Sequence, residues 1–275
     1  MKIAIITDIH FAGARAGTFD VLPVVEDFVG MATRLNADLM LDLGDRIDDV
    51  DSATDLSNAA ELGRIFERFP GPRVHLLGNH DVVNLTAEDH RKLFGQLPGH
   101  RTIDLGAFRL LAWEPSVLLD RRQGFPAAGA ELDWLTKALE SDDRPAIVAS
   151  HIPISGAAMT GNYYFENNAD LATYPDHSDI RRTVEQAGRA ALWLSGHVHW
   201  NSISNAANLR HITIQSASET FTTMPDPTCA YALLEINDAT ARLQVFGHDP
   251  MTLEMPFVAS GNRPWPQPRP RVARP

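Results

Sequence analysis

The sequence predicts an α/β fold in which two packed sheets are covered by helices within one domain. Strand and helix patterns alternate in the first part of the 275-residue chain, whereas the later part contains mostly strands. This combination is typical of two sheets with helices on their outer faces. The composition is that of a globular protein, with 44% hydrophobic residues, and a chain of this length can bury a full core.

Apolar runs bounded by polar residues predict the strands of the first part, and apolar residues at helical spacing predict its helices. Pro70, Gly71 and Pro72 end one helix, Thr86 begins another, and Gly106 lies in a hairpin turn. The predicted strands are 3–6, 38–43, 73–77, 102–105, 108–113 and 146–149. The predicted helices are 20–35, 53–69, one that begins at 86, and 129–139.

The later part begins with residues 152–179, which show no clear period and are interpreted as an insert. A helix is predicted over 180–188 and a strand over 190–194. Four strands then follow without helices between them: 202–205, 209–215, 230–236 and 241–246. The change from alternation to strands alone supports the assignment of two sheets.

The predicted domain covers residues 1–259, with 152–179 as its insert, and residues 260–275 form a Pro/Arg-rich tail. Because the tail lacks apolar periodicity, its composition predicts an extended or disordered segment. An arm that clasps a second copy of the chain is the alternative, which leaves a homo-oligomer possible.

Composition and charge argue against several classes of protein. The 24 basic and 35 acidic residues give a formal net charge of −11, which disfavours binding to a nucleic acid polymer. No apolar run approaches the roughly 18 residues of a membrane-spanning helix, so no membrane partner is expected. The first residues read as a core strand rather than a signal peptide, and Cys229 is the single cysteine. These features predict a cytoplasmic protein.

Polar side chains that can bind metal follow five of the predicted strands directly. They are Asp8 and His10, then Gly44-Asp45-Arg46-Ile47-Asp48, then Gly78-Asn79-His80-Asp81, then His151, and finally Gly196-His197-Val198-His199. In an open α/β sheet, sites form outside the carboxyl ends of the strands. The five strand ends are therefore expected to contribute to one cluster.

The residue types in this cluster indicate a pair of metal ions. Imidazole, carboxylate and amide donors without a thiolate suit Mn, Fe, Zn, Co or Ni, and more than four donors are too many for one tetrahedral ion. Asp8 and His10 lie on the same side if the backbone is extended. The same holds for His197 and His199, unless the turn directs them to two adjacent ions. Glycines that allow a sharp turn and a close backbone approach precede three of the groups: Gly44, Gly78 and Gly196.

Taken together, the five motifs resemble the signature of the calcineurin-like metallophosphoesterase superfamily over residues 8–199. The Gly-Asn-His-Asp form and the modest length are similar to bacterial class III cyclic-nucleotide and glycerophosphodiester phosphodiesterases. The resemblance implies a four-layer α/β-β/α sandwich with a dimetal site at the carboxyl ends of its strands. Ser150 departs from the pattern, since many relatives have a histidine there.

The resemblance also implies roles for individual residues and two divalent ions, which would be Mn, Fe, Zn or Co. One ion would be held by Asp8, His10, Asp45 and His199, and Asp45 would bridge to a second ion held by Asn79, His151 and His197. His80 would not bind metal but would hydrogen-bond the phosphoryl or leaving-group oxygen. Asp48 and Asp81 are expected to support the ligands or turns.

The expected function is hydrolysis of small phosphodiesters, such as cyclic nucleotides or glycerophosphodiesters, by attack of a metal-bound hydroxide. A phosphomonoesterase or nucleotide pyrophosphatase could use the same dimetal core, and a non-catalytic scaffold is a more remote alternative. Arg15 and Arg46, beside the ligand motifs, and Tyr163 and Tyr164, in the insert, are candidates for substrate contact. The alternatives are that the arginines are solvated and that the tyrosines belong to a surface insert packed on its own aromatic side chains.

Overall fold

Two six-stranded mixed sheets form the centre of the protein, seen here in a computed structural model that describes residues 1–13, 19–206, 209–259 and 261. The strands are β1 (Lys2–Ile6), β2 (Leu39–Asp42), β3 (Arg73–His75), β4 (Arg101–Asp104), β5 (Arg109–Ala112), β6 (Ala146–Ala149), β7 (Ala190–Ser195), β8 (Ser202–Ala206), β9 (Leu209–Thr213), β10 (Tyr231–Asn237), β11 (Thr240–Phe246) and β12 (Met251–Pro256). The helices are α1 (Leu22–Arg34), α2 (Ser52–Phe66), α3 (Ala87–Phe94), α4 (Leu132–Glu140), α5 (Ala169–Ala172) and α6 (His177–Ala187).

Each sheet contains a parallel section whose strand ends meet at one edge. The first sheet has the order β12-β11-β10-β1-β2-β3, in which β1, β2 and β3 are parallel. The second has the order β4-β5-β6-β7-β9-β8, in which β5, β6, β7 and β9 are parallel. The antiparallel strands lie outside these sections, so they leave the carboxyl ends of the parallel strands to form the site.

Alternating side chains along the strands separate the layers. Ile3 and Ile5 of β1 pack between the sheets, where they belong to the same core as Ile147 of β6. Ala4 and Ile6 point the other way and pack with residues of α1 and α2. The second sheet is covered in the same manner by residues of α4 and α6. The result is helix, sheet, sheet and helix, which confirms the predicted four-layer α/β sandwich.

Most predicted elements are present, and the strand over 146–149 has the predicted limits. The helix that was predicted to begin at Thr86 has this residue as its N-cap, which accepts a hydrogen bond from the Asp89 amide. The insert over 152–179 contains short 3-10 turns, α5 and the beginning of α6. Strand β12 was not predicted. No described helix combines the length and the apolar character that crossing a bilayer requires.

Some predictions concern residues that the structure does not describe. Arg15 lies outside the described residues, as does all of the tail over 260–275 except Gly261. The domain limits and the clasping arm therefore stay predictions.

Candidate metal centre

The loops that follow β1 and β2 are held together by backbone hydrogen bonds. The Asp8 amide donates to the Gly44 carbonyl at 2.9 Å, and the His10 amide donates to the Asp45 carbonyl at 3.0 Å. A similar bond joins the loops after β6 and β7, where the Gly196 amide donates to the His151 carbonyl at 3.0 Å. These contacts bring the motifs of distant strands to one place.

The backbone at these strand ends is left-handed rather than extended. The φ angles are 50° at Asp8, 47° at His10, 55° at Asp45, 68° at His197 and 62° at His199. Asp8 and His10 were expected to lie on the same side because of an extended backbone. The backbone is left-handed at both residues, so that reason was wrong. Asp and His tolerate the left-handed region better than most residues, which permits these sharp turns.

Close backbone approach is required at the glycines of the motifs. A Cβ on Gly78 would overlap the Asp45 carboxylate, and a Cβ on Gly196 would overlap Thr7 and Asp8. Gly44 has a φ of 105°, and a Cβ there would lie 2.5 Å from the Gly78 amide nitrogen. The predicted reason for these glycines is confirmed, since only hydrogen fits in the space.

Four side chains form the first group that could hold an ion: Asp8, His10, Asp45 and His199, with one donor atom of each within 4.8 Å of the others. The Nε2 atoms of His10 and His199 are 3.0 Å apart. His199 Nε2 lies 3.4 Å from Asp8 Oδ1, and His10 Nε2 lies 3.8 Å from Asp45 Oδ2. The donors surround a common point.

A second group consists of Asp45, His151 and His197, again within 4.8 Å of one another. His151 Nε2 lies 3.2 Å from Asp45 Oδ2 and 3.3 Å from the amide oxygen of Asn79. Asp45 belongs to both groups, which is the position of a bridging carboxylate. His197 and His199 belong to different groups, so the turn directs them to two adjacent positions.

The outward hydrogen bonds of the histidines define which nitrogen faces the cluster. The bonds run from His10 Nδ1 to Asp48 (3.0 Å), from His199 Nδ1 to Glu219 (3.3 Å), from His151 Nδ1 to the Leu43 carbonyl (2.9 Å) and from His197 Nε2 to the Leu171 carbonyl (2.7 Å). A ring that donates one N–H outward keeps a lone pair on its other nitrogen. We therefore infer that His197 offers Nδ1 and the other three offer Nε2.

The pKa shifts in the cluster show that its buried carboxylates favour positive charge beside them. Although burial opposes its ionisation, the hydrogen bond and charge of His199 lower the pKa of Asp8 to about 2. Burial likewise opposes protonation of His199 and His151, yet Asp8 raises the pKa of His199 to about 10 and Asp45 raises that of His151 to about 9. Burial, together with the charge of His151, lowers the pKa of His197 to about 3.

The donor set fits two divalent ions. The Nε2 atoms of His10 and His199 face each other at 3.0 Å, a contact that requires a proton or a cation between the two nitrogens. Asp8 and Asp45 are buried carboxylates beside them, and buried charges require a partner of opposite sign. Nitrogen and oxygen donors in this mixture are ligands of first-row divalent metals.

A third grouping consists of His10, Asp48 and His80, with one donor atom of each within 4.8 Å of the others. His10 Nδ1 already donates to Asp48 in this grouping, and its Nε2 faces the first group. A ring that binds metal through Nε2 keeps its Nδ1 proton for the outer carboxylate. We therefore interpret Asp48 as a hydrogen-bond partner that orients His10. These three residues are not interpreted as another ion site.

His80 lies at the edge of the cluster, where its Nδ1 donates to Asp49 at 2.9 Å. Its backbone amide donates to the Asp45 carboxylate at 2.8 Å. The side chain is partly exposed and belongs to the cavity wall. Because the Nδ1–H group is hydrogen-bonded to Asp49, the Nε2 atom is the ring nitrogen that can contact a molecule in the cavity. The sequence did not indicate Asp49, since it only marked the neighbouring Asp48.

The Asp81 carboxylate joins the second and third motifs. It accepts from the amides of Asp45 and Gly78, each at 2.9 Å, and from the amide of Arg46 at 3.1 Å. The Arg46 side chain is buried, pairing with Asp42 at 2.7 Å and with Asp81 at 3.2 Å. Arg46 is therefore neither a phosphate contact nor a solvated residue, which corrects the expectation for it.

Ser150, the departure from the motif pattern, has a structural contact. Its hydroxyl donates to the Ile152 carbonyl at 2.7 Å and accepts from Trp193 Nε1 at 2.9 Å. Both bonds are buried and lie next to His151. Ser150 thus fixes the turn that carries this histidine.

A cavity of about 580 Å³ lies over the cluster. Asp45, Asn79, His197 and His199 line it together with non-polar walls. The non-polar lining consists of four aromatic side chains, Tyr163, Tyr164, Phe165 and Phe221, and three aliphatic ones, Val83, Leu119 and Leu171. The structure thus places Tyr163 and Tyr164 at the cavity, as the sequence suggested.

Besides Asp49, three side chains near the cavity were missed by the sequence analysis: Glu219, Phe221 and Arg121. The Phe221 ring stacks on His199 with centroids 5.7 Å apart and meets Tyr163 edge-on at 4.2 Å. Glu219 and Phe221 follow β9, the parallel neighbour of β7, so a sixth strand end contributes to the site. The position of β9 beside β7 would have predicted Glu219 and Phe221, but the order of strands in a sheet cannot be read from the sequence.

The family model for calcineurin-like phosphoesterases matches residues 1–201, and the chain belongs to this family. The fold and the two adjacent donor groups agree with that membership. The family acts on phosphate esters, and it uses divalent metals at a site of this kind. Comparison with curated proteins finds no significant match to the sequence.

Solved structures with a similar fold include enzymes and one anchoring protein. A dimetal phosphatase from Danio rerio has a TM-score of 0.74 and 13% identity, covering 93% of this chain and 98% of its own. Purple acid phosphatase from yellow lupin has a TM-score of 0.67 and 15% identity, with 91% and 53% coverage. GAP50, the anchor in the inner membrane complex of Plasmodium, has a TM-score of 0.60 and 13% identity, with 93% and 89% coverage. At these identities the likeness shows the fold alone.

Proposed function

We propose that this protein is a dinuclear metal-dependent phosphodiesterase that hydrolyses small diesters of the cyclic-nucleotide or glycerophosphodiester type. The observation that carries the proposal is the pair of donor groups that share Asp45 beneath a cavity with non-polar walls. The proposed ligands are Asp8, His10, Asp45 and His199 for one ion, and Asp45, Asn79, His151 and His197 for the other.

When bound, two divalent ions supply an acidified water and positive charge for the phosphoryl oxygens. The chain supplies orientation, because four outward hydrogen bonds fix the rings of the ligand histidines. Asp8 is held by two further donors, the His197 amide and the Thr7 hydroxyl. Ligands whose positions are fixed before the substrate arrives lower the cost of reaching the transition state.

His80 acts on the leaving group in this proposal. Its Nδ1 proton is bound by Asp49, so the ring presents Nε2 to the cavity. A protonated Nε2 donates to the oxygen on which negative charge develops when the ester bond breaks. Asp49 stabilises that protonated ring and fixes its orientation. His80 therefore needs no contact with metal.

The charge around the cluster favours a diester over a monoester. Asp8 and Asp45 offset half of the charge of two divalent ions, and three more carboxylates bond the surrounding histidines: Asp48, Asp49 and Glu219. A phosphodiester carries one negative charge, whereas a monoester carries nearly two at neutral pH. The lower charge suits the acidic surroundings better, and the non-polar lining of the cavity can receive the two ester arms.

The aromatic side chains of the cavity account for part of the proposed substrate preference. Tyr163 is exposed, and its ring packs edge-on against Phe221. A planar ester arm such as a nucleobase stacks on rings of this kind. We propose Tyr163 and Tyr164 as substrate contacts and, because a single cysteine suits a reducing compartment, a cytoplasmic location.

The test compares two chromogenic substrates on protein loaded with Mn²⁺ and on protein stripped by EDTA. We expect metal-dependent turnover with a higher kcat/KM for bis(p-nitrophenyl) phosphate than for p-nitrophenyl phosphate. When variants that replace an acidic residue of the site are assayed in the same way, Asp143→Asn, at an exposed position, is their control. A higher kcat/KM for the monoester would support the monoesterase alternative. Protein with two bound ions and no turnover would support the scaffold.

A further inference from the structure

We infer that Arg121 is a substrate-binding residue that selects diesters with a second anionic group, such as a carboxylate or phosphate, on one ester arm. The inference rests on the proposed function, because it assumes that the phosphoryl group binds at the metal cluster. It goes further by naming the chemistry of the rest of the substrate.

Arg121 is the only arginine or lysine among the described residues that line the cavity. Its side chain is 81% exposed, and its nearest carboxylate oxygen belongs to Asp49 at 4.0 Å. That distance is too long for a hydrogen bond, and none is formed by this guanidinium within the described part of the chain. Five N–H donors are therefore available to a molecule in the cavity.

Asp49 connects Arg121 to His80 at the edge of the cavity. One oxygen of Asp49 accepts from His80 Nδ1 at 2.9 Å, and the other lies 4.0 Å from the guanidinium. The imidazole and the guanidinium thus lie on two sides of a single carboxylate. Both residues also line the cavity, so an ester arm that extends from a phosphoryl group at His80 along this side of the cavity reaches Arg121.

A rigid turn carries Arg121. Asp120 accepts hydrogen bonds from the amides of Arg122 (2.7 Å) and Gln123 (3.1 Å), and its backbone pairs with Gly124 in both directions. Gly124 has a φ of 80°, and a Cβ there would overlap the Asp170 carbonyl. The turn is therefore fixed at both its tip and its base, which reduces the entropy lost when a ligand binds.

The space beside Arg121 can hold a longer arm. A groove of about 380 Å³ shares Arg121 and Leu171 with the cavity and continues along Asn167 and Asn168. Arg122 also lines this groove but does not line the cavity over the cluster. The two adjacent arginines therefore provide a matched pair, in which only the first is placed to act on a ligand at the cluster.

The experiment measures binding of two phosphonates that cannot be hydrolysed, propylphosphonate and 3-phosphonopropionate, which differ by a terminal carboxylate. Protein loaded with two equivalents of Mn²⁺ is titrated by calorimetry. We expect wild type to bind 3-phosphonopropionate about tenfold more tightly, as one charge-assisted hydrogen-bonded pair provides. Arg121→Met should abolish this preference without changing the affinity for propylphosphonate. Arg122→Met should keep it.

Elemental analysis and the thermal midpoint check that Arg121→Met binds two ions and folds, as expected for an exposed residue. A wild type without preference, including one that binds neither phosphonate, would overturn the assignment, as would a preference that survives in Arg121→Met. Equal weakening of both ligands would mean that Arg121 acts only through Asp49, which also contradicts it. The result is independent of turnover, so a failure of the diesterase proposal is seen separately in the chromogenic assay.

Discussion

Replacing Asp81 by asparagine tests whether this carboxylate holds the loops of the site together. Its oxygens accept three backbone N–H groups and also contact the Arg46 side chain at 3.2 Å. In Asp81→Asn, one amide oxygen can replace the carboxylate oxygen that serves Asp45 and Gly78. The Arg46 amide then faces an NH₂ group, so two donors meet in a buried place.

The magnitude follows from these contacts. A buried N–H without an acceptor costs about 1–3 kcal/mol, and loss of the negative charge weakens each remaining bond by about 0.5–1 kcal/mol. With one N–H left without an acceptor and two bonds weakened, we expect Asp81→Asn to lower the free energy of unfolding by about 2–5 kcal/mol, which overlaps the range known for disruption of a buried ion pair. The effect is large because the stability of a whole domain is only about 5–15 kcal/mol.

Urea denaturation of EDTA-treated protein, followed by circular dichroism, measures this loss. The control Asp143→Asn replaces an exposed carboxylate that pairs with Arg189 and should change the free energy of unfolding by less than about 0.5 kcal/mol. Mn²⁺ should also stabilise Asp81→Asn less than wild type, because the Asp45 amide then bonds a neutral amide oxygen in place of a carboxylate. A loss below about 1 kcal/mol would refute the role given to Asp81.

Three further predictions concern the cluster and the buried network behind it. Asp45→Asn should reduce the metal content below two ions per chain by elemental analysis, since this residue belongs to both donor groups; a content of two would contradict the bridging role. His80→Ala should keep both ions and lower kcat by about 10²- to 10⁴-fold, and loss of an ion with unchanged kcat would exclude that role. Although burial opposes ionisation, Arg46 lowers the pKa of Asp42 below 3.8. Asp42 therefore stabilises the fold above about pH 4 and stops doing so as the pH falls through its lowered pKa. The difference in unfolding free energy between wild type and Asp42→Asn should narrow below pH 4, and a constant difference would show that Asp42 does not titrate.

The sequence predicted the fold well where hydrophobic pattern alone decides the structure. The apolar run over 146–149 is a buried strand with these limits, and the hairpin around Gly106 joins β4 and β5. The motifs could be placed at strand ends for the same reason, because a buried strand followed by glycine and polar residues has few other interpretations. Strand β12 was not predicted because it is an edge strand whose exposed residues weaken the hydrophobic pattern.

The missed parts of the site depend on geometry that sequence spacing does not contain. Asp48 and Asp49 are adjacent, yet Asp48 bonds His10 and Asp49 bonds His80. Arg46 appeared to be placed for phosphate, but its side chain enters the core beside Asp42. In each case the direction of the side chain follows from the turn after β2, where Asp45 is left-handed. Local spacing cannot predict which way such a turn points its neighbours.

The left-handed residues also explain how the site is held in shape. Residues in that region cost about 1–3 kcal/mol each, and among the proposed ligands five are left-handed. The bonds from the Asp8 and His10 amides to the loop after β2, and those to Asp81, offset this cost. All of these bonds except the one from Gly78 to Asp81 join two different strand ends, so one loop cannot relax without releasing its neighbour. The strain is therefore shared by the whole edge of the sheets, and a substitution at Asp81, which touches no proposed ion, should reach the donor groups through the backbone of Asp45.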